Sequence, residues 1–143
     1  MKRLVSIGLM VSLLLAACSE PAAPVPDPVA ASQDQVAQAD LRTALIAAKT
    51  YWADAATYAG WSPSAAAGIE PSLSWNDAAP AANATISIDF VSQSQVVMST
   101  KSASGTAFCI ADDAVGGVSY GTVDADGATG VSGCAGDAWP AAA

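Results

Sequence analysis

The chain has 143 residues, of which thirteen are acidic, five are basic and none is histidine, for a net charge of −8. Without histidine, Ser-His-Asp and Cys-His catalysis and imidazole metal sites are excluded. A strongly acidic chain is also a poor partner for nucleic acid or anionic lipid, since both are polyanions that clustered cations must neutralise. Carboxylate pairs remain as acid/base groups, but the acids here are scattered singly through polar segments, and the expectation is that the protein is not an enzyme.

In chain order, the first segment carries Lys2-Arg3, an apolar run from Leu4 to Leu15, and then Leu15-Ala16-Ala17-Cys18. A basic start, an apolar core short for a membrane span and small residues before a break are secretory signal features. The last four residues resemble the lipobox of bacterial lipoproteins. That resemblance implies cleavage after Ala17, acyl chains on Cys18 as the lipidation site, and an extracytoplasmic protein held to a membrane through its N-terminal lipid. Several acyl chains, at about 0.8 kcal/mol per buried methylene, suffice for a stable anchor. Ser19 is not the aspartate that marks inner-membrane retention in that family, which favours an outer-membrane or cell-surface location where the host has one. Removal of residues 1–17 leaves Arg42, Lys49 and Lys101 as the only cations against thirteen carboxylates, a net charge of −10.

Residues 18–31 hold Pro21, Pro24, Pro26 and Pro28 among alanine and valine. Such a stretch reads as an extended, disordered linker, and at ~3.1 Å per residue it reaches on the order of 40 Å. A single domain over 32–143 follows. Ser32 with Gln35 has the form of a capping box, which predicts one long helix from there to about Tyr58, closed by Gly60. Leu41, Leu45, Ala48, Trp52 and Ala55 recur on one side of it, and Asp40, Thr43, Thr50 and Asp54 fall opposite. The stretch from Trp61 to Ala82 is a connection with a short helix near Ser64–Gly68.

From Ala84 the period changes to two. Ile86, Ile88 and Phe90 alternate with polar residues, a break at Ser92-Gln93-Ser94 leads into Gln95–Lys101, and Ser102–Gly105 turns the chain into Thr106–Ala111. Gly116-Gly117 precedes a weaker strand at Val118–Val123. The expected fold class is therefore α+β, one long helix packed on a three- to four-stranded antiparallel β-meander. Ile86, Ile88, Phe90, Val96, Met98, Phe108 and Ile110 are expected to cover the helix stripe. With Cys18 acylated, Cys109 and Cys134 form an even pair in an oxidising compartment, and a disulfide between them is expected.

Asp40-Leu41-Arg42-Thr43-Ala44-Leu45-Ile46-Ala47-Ala48-Lys49-Thr50-Tyr51, then Tyr58, Ile69-Glu70-Pro71-Ser72-Leu73 and Lys101–Ile110, resemble the globular part of bacterial type IV pilins across roughly 33–139. The resemblance implies a structural or interaction module, accessory to a pilus or to a type II secretion-like machine and acting on envelope proteins by contact. The chain departs from the family in lacking the prepilin cleavage site and the long apolar first half of the pilin helix; a proline-rich segment stands there instead.

A different reading is a small calcium-binding envelope lipoprotein. Asp124-Ala125-Asp126-Gly127, with Asp112 and Asp113 across the predicted hairpin and Asp137 beyond, supplies hard oxygen ligands of the kind calcium takes. Pseudopilins related to the pilin family carry calcium in this region, but the EF-hand pattern is incomplete. Solvated turn acids are the plainer account. Two further signals are weak. Asn83-Ala84-Thr85 fits a glycosylation acceptor triplet, and Trp61, Trp75 and Trp139 are candidates to line a sugar-binding surface, although aromatics beside loops more often close the edges of a small core.

Overall fold

The computed structural model describes residues 27–77, 80, 85–134, 136 and 139. The signal and lipidation features at 1–18, the linker up to 26, Asn83 and Asp137 lie outside them.

Helix α1 runs Pro28–Ala55. Its start is earlier than the capping-box reading predicts, because Asp27 is a better N-cap than Ser32. Extended backbone at Asp27 lets its Oδ1 accept from the Val29 amide at 2.9 Å, and Pro28 at the first helical position has no amide to leave unsatisfied. Four residues assigned from sequence to the linker are thus the first turn of the helix. The far end also differs from expectation. Ala56 takes the left-handed conformation (φ 54°) and donates its amide to Trp52 O, so Gly60 is not the cap. Gly60 (φ +97°) instead lets the following chain pass close to Tyr51, where an added Cβ would lie 2.7 Å from the phenolic oxygen.

Helix α2, Pro63–Ile69, repeats the same N-terminal device with Ser62 as cap and Pro63 at the first position. Beyond it, strand β1 is Ser74–Asn76, β2 Thr85–Val91, β3 Gln95–Lys101, β4 Ala107–Asp113 and β5 Gly117–Thr122. A short 3-10 turn, Val131–Cys134, follows. The five strands make one sheet in the order β1-β2-β3-β4-β5. From β2 to β5 each strand pairs antiparallel with the next. The sheet is nevertheless mixed, because β1 joins it parallel to β2, pairing Trp75 with Ile86. Three residues are too few to display a period of two, which is why β1 is absent from the sequence reading.

One face of the sheet lies under α1. Leu41, Ala44, Leu45 and Ala48 from the helix meet Ile86, Ile88, Val96, Met98, Phe108 and Ile110, all buried. Alanines at 37, 44, 47 and 48 bring the helix close, so the larger strand side chains fill the space between layers. Trp52 is half-buried against this core and Ala55 is exposed, so the apolar stripe ends one turn short of the helix.

Phe90 is the exception among the residues expected there. Ile88 pairs with Met98 and Phe90 with Val97, which leaves Asp89 as an extra residue in β2. Such a bulge breaks strict alternation. Phe90 therefore joins Val97, Cys109, Ala111, Ala128 and Cys134 on the opposite face, while Val91 returns to the helix side. That second face is covered by the chain after β5, not by a helix. The Cys109–Cys134 disulfide, with Cα atoms 5.7 Å apart, fastens this segment to the middle of β4.

Candidate functional site

The acids singled out from sequence separate into two groups at opposite ends of one hairpin. In the β4–β5 ladder Asp113 faces Gly117 at one end and Phe108 faces Thr122 at the other. Five residues of strand divide the ends, about 17 Å at 3.4 Å per residue. Asp112 and Asp113 sit at the first end, whereas Asp124 and Asp126 follow β5 at the second. The expected convergence across the hairpin does not occur, because an antiparallel return carries the chain away from the turn it has just left. Among the described residues no group of three or more His, Cys, Asp or Glu side chains is placed to hold a metal ion.

Asp112 and Asp113 are neighbours in β4 and so address opposite faces. Asp112 continues the inward parity of Phe108 and Ile110 and is buried beneath α1. Its Oδ1 accepts from Lys49 Nζ at 2.7 Å, and its Oδ2 accepts from the Tyr58 hydroxyl. Tyr58 is itself wholly buried, with its amide donating to Gln93 O. Burial, and next the Asp112 carboxylate, push the tyrosine hydroxyl far above its ordinary pKa, so it stays a donor. Lys49 is asymmetric with its partner: its side chain is 49% exposed against 4% for Asp112. This cluster ties the end of α1, the chain beyond it and β4 together.

Asp113 works locally. Its Oδ1 accepts from the amides of Val115 and Gly116, and its Oδ2 from Gln95 Nε2. The Val115 amide first, then Gln95 and Gly116, hold its carboxyl below the usual range. This is the turn-acid role that the sequence makes plausible for every Asp in these loops.

At the other end, the Asp124–Gly127 turn leans on a carboxylate that sequence reasoning passed over. Asp89, in the β2 bulge, accepts from Ser99 Oγ at 2.8 Å and from the Ala128 amide at 3.0 Å. Gly127 (φ +76°) permits the contact, since a Cβ there would fall 2.9 Å from Asp89 Oδ2. Burial raises the Asp89 pKa, and the two hydrogen bonds partly oppose this. In the sequence Asp89 sits among the polar residues that alternate with Ile86, Ile88 and Phe90, so only its being the one charged residue of β2 sets it apart.

The three tryptophans do not share a surface. Trp61 and Trp75 meet edge to face at 5.7 Å beside Tyr51, near α2 and β1. Trp139 packs on Phe108 and Tyr120 beside β5, donates its Nε1–H to Gly121 O, and lies 5.2 Å beneath the Arg42 guanidinium. A cation over an indole face is an attractive pairing, and here it ties Trp139, beside β5, to α1. Two of the three cations left beyond residue 17 are therefore committed within the fold. The third, Lys101, ends β3 beside a groove of about 200 Å³ formed with the first half of α1, lined by Gln33, Val36, Ala37, Asp40, Ser102 and Ala103. Burial raises the pKa of Asp40 on its rim. Below the groove, Asp34 accepts from Ser102 and Ser104, pinning the start of α1 to the β3–β4 turn.

No protein-family model, curated protein or solved structure matches the chain.

Proposed function

We propose that the chain is an extracytoplasmic lipoprotein, acylated on Cys18, whose pilin-like domain acts as an interaction module at the cell envelope, accessory to a type IV pilus or type II secretion-like machine. The observation that carries the reading is the order of parts. A lipobox-like Leu15-Ala16-Ala17-Cys18 and a proline-rich segment precede a long helix on a five-stranded mixed sheet, whose tail is closed by a disulfide.

Three features support it. A buried disulfide between the two remaining cysteines suits an oxidising compartment. Helix α1, about 42 Å long at 1.5 Å per residue, begins directly after Pro21, Pro24 and Pro26. No described helix is long and apolar enough to cross a membrane, so attachment in this reading falls to the lipid.

The test is in-cell crosslinking of the native protein beside a Cys18→Ser variant. Native protein is expected in the membrane fraction, crosslinked to pilus or secretion components, with the variant released and the crosslinks lost. Equal membrane retention of the variant would refute the anchor. Native protein seen by electron microscopy as the repeating subunit of a pilus would refute the accessory role.

A further inference from the structure

We draw no further inference here: the strongest candidate, the groove between the first half of α1 and the β3–β4 turn, has an apolar floor with Asp40 and Lys101 both on its rim, so charge selects no partner, and nothing in the structure shows what covers it.

Discussion

The two faces of the sheet are closed by opposite means. Under α1, large aliphatic and aromatic side chains from three strands meet a helix built of leucine and alanine, and the layer holds mainly by burial, with polar contacts at Asp34 and Asp112 added near its ends. On the other face the cover is a segment rich in glycine, alanine and aspartate, whose apolar contribution is Ala128, Cys134 and the partly buried Val123 and Val131. There the structure adds what area cannot supply: a covalent bond from Cys134 to Cys109 and a carboxylate, Asp89, that receives the Ala128 amide. The lesson is one of composition. A cover with few apolar atoms must be pinned at points, whereas a cover with many is held along its length.

The strongest way to break the comparison is Leu41→Ala. Leu41 is fully buried at the centre of the helix layer, and truncation there is expected to cost about 4 kcal/mol. Urea denaturation should show one cooperative transition at a lower midpoint. A loss under about 1 kcal/mol would mean that α1 is not held by burial.

Next in size is the disulfide. Twenty-five residues separate its cysteines, and in the chain-entropy model the bond contributes ~3.5 kcal/mol. A Cys109→Ala/Cys134→Ala variant is expected to lose that stability unevenly. Amides in Ala128–Cys134 should exchange hydrogen rapidly while those of β3 and α1 keep protection set by global unfolding. Simultaneous loss of protection in both layers would remove the distinction between the faces.

A smaller effect sharpens the helix side. Asp112→Ala leaves the buried Tyr58 hydroxyl without its acceptor, at a cost of about 2 kcal/mol. Lys49→Met, by contrast, removes a half-exposed partner and should cost less than about 1 kcal/mol. Equal losses in chemical denaturation would show that the ion pair, and not the tyrosine, fastens α1 to β4.

The smallest expected effect is a slope against pH. Because burial raises the Asp89 pKa above its unfolded value near 3.8, the folded protein binds this proton more tightly than the unfolded chain. Stability contributed by this group is therefore full at low pH and declines as pH rises from about 4 through the raised folded value. Asp113, with a lowered pKa, has the opposite sign and loses its contribution as pH falls. Asp89→Asn leaves Asp113 and Asp40 in place, so the difference between the two proteins isolates Asp89. Denaturation midpoints from pH 3 to 7 should decline less steeply in the variant across that window, and parallel profiles would count against a proton held under the tail.

Much of the helix side was legible from residue spacing. Leu41, Leu45 and Ala48 recur at helical intervals, and Ile86, Ile88, Met98, Phe108 and Ile110 at strand intervals, because each element must turn its apolar residues toward the same layer. The disulfide, too, was expected from two cysteines once Cys18 was set aside. Less legible were features that depend on a single residue out of register. The bulge at Asp89 sends Phe90 to the far face, and nothing in the alternating pattern of β2 announces it. Asp112 and Asp124 looked close in sequence, yet the ladder sets them at opposite ends of a hairpin.

By itself, then, the sequence determined the long helix, the order of β2 to β5, most of the apolar face under the helix and the absence of imidazole chemistry, all of which follow from composition and periodicity along the chain. Only the tertiary structure decided which polar groups meet: Tyr58 with Asp112, Asp89 with the turn at Gly127, Arg42 with Trp139. Periodicity says which way a side chain points, but a pairing between distant segments depends on register, bulges and the path of the returning chain, and these are settled when the layers pack.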